Sequence, residues 1–438
     1  MGESSASSAP PTLCSSRSDS REQGPRSLAG NGQKAYRGLT ELVSSTGGRE
    51  MTKHRLMNRK GTPHRHRFPR PALVVAAVLA VAALLWMLVA VPALVKYPTD
   101  LDVDLRYTGT FTVLVNPTTA APLAEPMVVP LTVDRHLEAV GDESGASLVV
   151  IRETIRQQAG DLFDVTQTNQ YVMDRSTVKN VADDRAFAFE PANVVDRSGA
   201  YRLNLPFDTS TDETYVIYSN EIAGTYEAAA DPETTTGEVE GLDISYFVAS
   251  VDEAPMSAAY LAELSKAVPL PTSLTLQEMK PQLLAAGIDV DAVLAALTPV
   301  LTPEDTATLA EFAGEPIGLD YVESFGGRMA VEPVTGADVQ VVVAASVGAR
   351  PQVTNLPALL EVLGHYPDVP EAVAAGTALN ELVAGPAVPL FEYSYEQTPA
   401  SVADVANDVS AMRQQVLLAK VWLPLAVAVA ALISLAIG

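Results

Sequence analysis

The sequence predicts an α+β membrane protein: a mainly antiparallel β sandwich or barrel as an outer domain, with a helical insertion, flanked by two transmembrane helices. Three observations carry this prediction. Residues 72–95 hold no charged residue over 24 positions, and as a helix they would be about 36 Å long, enough to cross a hydrocarbon core of roughly 30 Å. Residues 421–437 form a second apolar run. Between the two, apolar and polar residues alternate in short runs with the period of strands, and the spacing turns helical between Met256 and Gly314.

Taken in order, residues 1–50 are rich in Ser, Gly, Arg and Gln and read as a disordered tail, with Met51 as an alternative start. Residues 51–71 form a basic lead. Lys53, Arg55, Arg59, Lys60, Arg65, Arg67 and Arg70 stand there without an acidic residue, whereas the far flank of the first span offers only Lys96 before Asp100, Asp102 and Asp104. The positive-inside rule puts this lead in the cytoplasm and residues 96–400 on the outer side of the cytoplasmic membrane. The first span (72–95) is expected to end at Pro92 and Pro98, since proline lacks the donor that continues a helix. It exceeds the apolar length of a signal peptide and no small-x-small site follows, so an uncleaved anchor is expected.

In the outer domain, Leu101, Val103, Leu105 and Tyr107 share one strand face and Asp102, Asp104 and Arg106 the other. Further strand runs are expected at 111–115, 127–133, 147–155, 164–173, 201–205, 214–218, 224–228 and 242–251, separated by turn-prone clusters such as Asp231-Pro232. The helical insertion covers 256–315; within it Thr302, Pro303, Glu304 and Asp305 make a helix start, with a hydroxyl cap, proline in the first turn and acids at the positive end of the dipole. Strands resume at 319–331 and 338–345 around a turn at Val334-Thr335-Gly336, and Gly326-Gly327 reads as a hairpin turn. Helices at 356–364 and 371–384 and a last strand at 391–395 follow. In the stalk helix (401–416), Val402, Val405, Val409, Met412 and Val416 form an apolar seam for packing on the domain or on a second copy. The second span (417–438) contains Lys420, which reaches the headgroups by snorkelling, and Trp422 at the outer interface. Both termini then lie on the cytoplasmic side.

The formal net charge is −24. From Lys96 to Gln415 there are 15 Lys+Arg against 48 Asp+Glu, hence −33 for the outer domain with its stalk. Such a surface excludes nucleic acid as a partner and disfavours anionic headgroups. The single cysteine, Cys14, precedes the anchor. Disulfides therefore cannot hold the outer domain, and a hydrophobic core must.

Catalytic signatures are missing: there is no Gly-x-Ser-x-Gly, no phosphate loop, and His136 and His365 are the outer domain's histidines. A non-enzymatic protein without cofactors is expected, an unannounced hydrolase being the remaining enzyme reading. His64-Arg65-His66 has chelating spacing but sits among cations that repel a metal ion. Asp100, Asp102 and Asp104 could offer three oxygens to calcium, but Leu105 stands where a calcium loop needs glycine and Phe111 where it needs glutamate, so a solvated strand face is preferred. Thirteen of 14 tyrosines lie between Tyr97 and Tyr395. Tyr171, Tyr201, Phe207, Tyr215, Tyr246 and Phe247, in strongly strand-like runs, are the candidate lining of an apolar ligand cavity inside a barrel.

Several segments resemble the actinobacterial porin PorA family of envelope proteins. These are the exit from the first span (Val91-Pro-Ala-Leu-Val-Lys-Tyr-Pro-Thr-Asp-Leu-Asp), Met173-Asp-Arg-Ser-Thr, the strand Gly241-Leu-Asp-Ile-Ser-Tyr-Phe, the hairpin Ala330-Val-Glu-Pro-Val-Thr-Gly-Ala-Asp-Val, and the stalk running into a second span. The resemblance covers about residues 72–438 and implies location and fold; the family name implies a transport pore. Two helices without polar residues cannot enclose water, so a pore would need a homo-oligomer or a sheet inserted in lipid. Scavenger receptors with two terminal spans and an apolar tunnel share this architecture only. The leading expectation is envelope organisation or the handling of a lipid or other apolar ligand, with the bilayer as partner through both helices; the alternative is an oligomeric pore.

Overall fold

The computed structural model describes residues 70–116, 122–268 and 270–437. The tail at 1–50, residues 51–69 of the basic lead, Cys14, His64 and His66 lie outside the described residues. The first apolar helix runs as α1 (Arg70–Leu85), a π turn at Trp86–Ala90 and α2 (Val91–Leu94). The sheet then begins with β1 (Asp102–Val115), β2 (Pro122–Ala139), β3 (Leu148–Ala159) and β4 (Phe163–Asp174). Shorter strands follow: β5 (Phe187–Phe189), β6 (Tyr215–Ser219), β7 (Gly224–Ala230) and β8 (Thr236–Val239), then the long β9 (Leu242–Pro255).

Helix α3 (Ala258–Leu264), the two-residue β10 (Ser273–Leu274), α4 (Leu276–Ala285), α5 (Val290–Leu297) and α6 (Pro303–Gly314) lead to the hairpin of β11 (Ile317–Glu332) and β12 (Ala337–Gln352). The chain closes with α7 (Leu356–Gly364), α8 (Pro370–Ala384), β13 (Val388–Gln397), α9 (Pro399–Leu417), a π turn at Leu418–Trp422 and α10 (Leu423–Ile437).

Among the described residues all thirteen strands join one antiparallel sheet, ordered β5-β4-β3-β2-β1-β13-β12-β11-β9-β7-β6, with β10 on β11 and β8 on β9. It curls into a half-barrel, so of the two expected architectures the barrel-like one is built. The two runs expected at 101–107 and 111–115 are one continuous strand, β1. Gly109 lets it continue beside β13, because a Cβ there would stand 1.8 Å from the Ser394 carbonyl oxygen. Val334-Thr335-Gly336 forms the β11–β12 turn as expected; Gly336 has φ +73°, and its missing Cβ leaves room for the Leu205 carbonyl.

Three local expectations are corrected. Residues 201–205 make no strand, only a parallel bridge from Tyr201 to Ile217. Gly326-Gly327 is no turn: both residues lie inside β11, opposite Ala344 and Val343 of β12 and Ser250 and Ala249 of β9. Pro92 does not end the first helix. The chain widens into a π turn just before it, where Val91 N–H reaches the Trp86 carbonyl, so the missing proline donor is absorbed and the helix runs on to Leu94.

The second apolar helix uses the same device. Leu423 N–H bonds Leu418 O across the π turn, which leaves Ala419 O facing position 424, a proline with no donor. Trp86 Nε1 donates to that carbonyl at 2.9 Å. The two apolar helices pack on each other, and Val91, Val95, Val416 and Ala419 are buried together against Trp86, Phe207 and Val334. Both helices are long and apolar enough to cross a membrane.

Helix α9 starts at Thr398, whose hydroxyl accepts from Ser401 N–H, with Pro399 in the first turn. Its seam of Val402, Val405, Ala406 and Val409 is buried in the main core. Ser401 Oγ accepts from Arg106 N–H of β1 at 3.1 Å. The stalk thus packs on the body of the domain, inside the curl, and passes through the π turn into α10. Helices α4 to α8 bury a second core around Met279, Leu283, Leu297, Leu359, Leu363 and Leu379.

Candidate ligand-binding site

The inward faces of β2, β3 and β4 carry charges as well as apolar groups. Arg135 Nε meets Glu153 Oε1 at 2.5 Å, and Glu153 is fully buried. Its other oxygen accepts from Tyr171 Oη at 2.6 Å and Asn169 Nδ2 at 3.0 Å. Burial works against the Glu153 charge, yet Arg135, Arg202 and the Tyr171 hydroxyl outweigh it and hold the carboxyl down at about 2. Asn220 Nδ2 donates to Tyr171 Oη at 2.9 Å, and Asn220 Oδ1 accepts from Arg197 Nε at 2.9 Å.

Arg197 is 2% exposed. It also donates to the carbonyls of Gln170 and Phe187 and lies 4.6 Å over the Tyr171 ring. One guanidinium therefore joins β4 and β5 at one edge of the curled sheet to Asn220, which follows β6 at the other edge.

Two further interior carboxyls lack such support. Tyr393 Oη donates to Glu323 Oε1 at 2.7 Å, while Glu323 Oε2 is buried without a partner. Burial, with Glu221 nearby, pushes Glu323 up to about 7. Asp338 likewise has a buried, unpartnered Oδ1, and burial raises it to about 7 against the pull of Arg135.

Beyond this belt, at the end of the sheet remote from the apolar helices, lies a cavity of ≈ 550 Å³. The remoteness follows from register. Leu101 and Leu105 lie level with Val405 and Val409 of α9, around a small gap of ≈ 90 Å³; Val416 and Ala419, further along that helix, pack on Val91 and Val95. Phe111 to Val115 lie at the other end of β1, which at about 3.3 Å per residue is a strand of roughly 46 Å.

The floor is aromatic: Phe111 stacks on Phe391 and meets Phe163 edge-on, both with ring centroids at 5.1 Å. Register explains the meeting, since Phe111 pairs with Tyr393 and Val113 with Phe391. Val113, Leu319, Tyr321 and Ala349 complete the wall, and Val268, Leu270 and Leu274, from the segment between α3 and α4, roof it. The roof is sewn to β11 by Tyr321 Oη donating to Pro271 O at 2.7 Å and by the β10–β11 pairing. Met127, Leu162, Pro271, Gln277, Glu278 and Pro281 are the solvent-exposed members of the lining, and Met127, Leu162, Gln277 and Glu278 mark its rim. The volume falls within the roughly 300–1,000 Å³ of small-molecule sites.

None of the six aromatic residues expected to line a cavity touches this one. Tyr171 sits in the polar belt. Tyr201, Tyr215 and Phe247 pack into one small cluster with Leu205, Ile217 and Val331, with ring centroids 5.8 Å and 5.6 Å apart. Tyr246 lies under the Arg328 guanidinium at 3.7 Å. Phe207 is at the base, beside Lys420, whose Nζ pairs with Asp208 at 2.5 Å. Phe111 and Phe391 of the floor lie in runs read as strands and Phe163 directly precedes one, but the meeting of Phe111 and Phe391 depends on β1–β13 pairing across nearly 280 residues of chain, which no local pattern displays.

Asp102 and Asp104 share the exposed face of β1 as expected, with His136 of β2 between them, 2.9 Å from Asp104 and 3.9 Å from Asp102. Asp100 precedes the strand. Among the described residues no group of three or more His, Cys, Asp or Glu is arranged to hold a metal ion.

A family model described as Porin PorA matches residues 68–438. No curated protein matches. A solved structure of a conserved protein of unknown function with a hot dog fold from Alicyclobacillus acidocaldarius is 11% identical, covers 76% of this chain and 89% of its own, and has a TM-score of 0.09, so it carries no argument.

Proposed function

The chain belongs to the porin PorA family, and from that premise we propose that it is a non-enzymatic envelope protein whose outer domain binds an apolar ligand, such as a lipid chain, in the cavity at the far end of its half-barrel. In this reading both apolar helices sit in the cytoplasmic membrane and the termini face the cytoplasm, as the basic lead requires. The observation that carries it is the ≈ 550 Å³ cavity with its floor of Phe111, Phe163 and Phe391. Solid packing is the usual fate of such residues, and here they leave space instead.

The family description favours a transport pore as the second reading. Against the domain itself being the conduit stands its interior, occupied by the Arg135–Glu153 belt and by the seam of α9. A pore would have to be built from several copies.

Full-length protein in phosphatidylcholine nanodiscs tests the proposal. An uncharged fluorescent alkyl probe should bind wild type, and Ala349→Phe or Val113→Trp should each abolish binding while leaving thermal stability close to wild type, since added bulk enters free space. Stepwise conductance in planar bilayers together with absence of alkyl binding would establish the pore instead.

A further inference from the structure

The rim and lining of the cavity specify the ligand's head as well as its tail, an inference that rests on the binding reading above. Among the described residues the lining contains one charged residue, Glu278, and no Lys, Arg or His. A carboxylate or phosphate head would find no cation in this lining to pair with. Glu278 is fixed in place as half of a capping box: Thr275 N–H and Thr275 Oγ1 both donate to Glu278 Oε2 at 2.8 Å, and Glu278 N–H bonds Thr275 Oγ1 in return. These bonds hold the carboxyl below its usual range, so the rim carries a lasting negative charge. Around it lies a domain with 15 Lys+Arg against 48 Asp+Glu from Lys96 to Gln415. Its field repels anions on approach.

The roof is also asymmetric. It is hydrogen-bonded to β11 through Pro271 and β10, while Gln277 and Glu278 of α4 belong, with Met127 and Leu162, to the exposed part of the lining. We infer that the cavity takes an alkyl amphiphile with an uncharged head, such as an alcohol, an ester or a glycoside, and discriminates against fatty-acid anions and lipid phosphates.

The test is displacement of the uncharged fluorescent alkyl probe from the full-length protein in phosphatidylcholine nanodiscs at pH 8 by lauryl alcohol, methyl laurate and laurate. The alcohol and ester should displace it at least about tenfold better than laurate. Glu278→Gln keeps the capping box, since glutamine serves at that position, and should improve laurate about two- to threefold relative to lauryl alcohol. Laurate competing as well as the alcohol in wild type, or failing to respond to Glu278→Gln, would overturn the inference and leave the binding reading intact. Failure of the probe itself to bind wild type would overturn both.

Discussion

Tyr393 holds Glu323 by one oxygen only: its hydroxyl donates to Oε1 at 2.7 Å, and Oε2 is left buried with no partner among the described residues. The pair lies next to the cavity wall along the same strands, since Tyr321 and Phe391 precede these residues by two positions and the inward face of a strand repeats every second residue.

The first prediction follows from that carboxyl. Burial raises its folded value from 4.5 to about 7. Between these values the folded state keeps a proton that the unfolded chain releases, so stability is full below pH 4.5 and declines as pH rises through 7. Asp338, raised to about 7 as well, acts with the same sign. Glu323→Gln should remove part of this decline and gain on the order of 1–3 kcal/mol over wild type at pH 8, with little difference at pH 4.5. Denaturant unfolding at the two pH values checks it. Parallel pH profiles would contradict it.

The Arg197 clasp gives the second. Arg197→Ala strands the Gln170 and Phe187 carbonyls and Asn220 Oδ1 in the interior, and should cost about 3–5 kcal/mol. Arg197→Lys should recover little, because an ammonium cannot reproduce a planar fork reaching three acceptors. Hydrogen exchange should show β5 and β6, the two edges, losing protection first. Uniform loss across the sheet would mean that Arg197 does not hold the edges.

The stalk supplies the third. Val409 is buried in the main core and Asn407 is exposed on the opposite side of α9. Val409→Asp should cost a few kcal/mol and Asn407→Asp within about half a kcal/mol, read as thermal unfolding. Equal stability of the two would show that α9 does not pack inside the curl.

At the paired π turns, Trp86→Phe deletes the donor to Ala419 O and should weaken helix pairing by about 0.6–1.7 kcal/mol. Pro424→Ala returns a backbone donor one turn below that carbonyl, so Trp86→Phe should cost close to nothing in that background. A double-mutant cycle on helix association in detergent decides it; additive effects would contradict the account.

Much of the fold was legible because its signals are local. The spans announce themselves by length without charge, β1 to β4 by alternation, and α6 by its proline start. What stayed hidden depends on partners distant in the chain. Gly326-Gly327 looks like a turn by composition, yet β9 and β12 on either side hold it extended. Pro92 looks like a stop, and a π turn absorbs it. Tyr201 looks like a strand residue and becomes a single bridge. The candidate lining residues lie away from this cavity for the same reason: aromatic content along a strand does not say which end of the curl a residue occupies, and Phe111 and Phe391 are placed at the cavity by pairing with each other's neighbours.

The most direct test of the account is photolabelling. The full-length protein in phosphatidylcholine nanodiscs is irradiated with an alkyl alcohol carrying a terminal diazirine, and the labelled residues are mapped by mass spectrometry. The account predicts label on β1 at Phe111 and Val113, on β13 at Phe391 and on the roof at Leu270 and Leu274, all suppressed by Val113→Trp. Label confined to the two apolar helices, or unchanged by Val113→Trp, would contradict it.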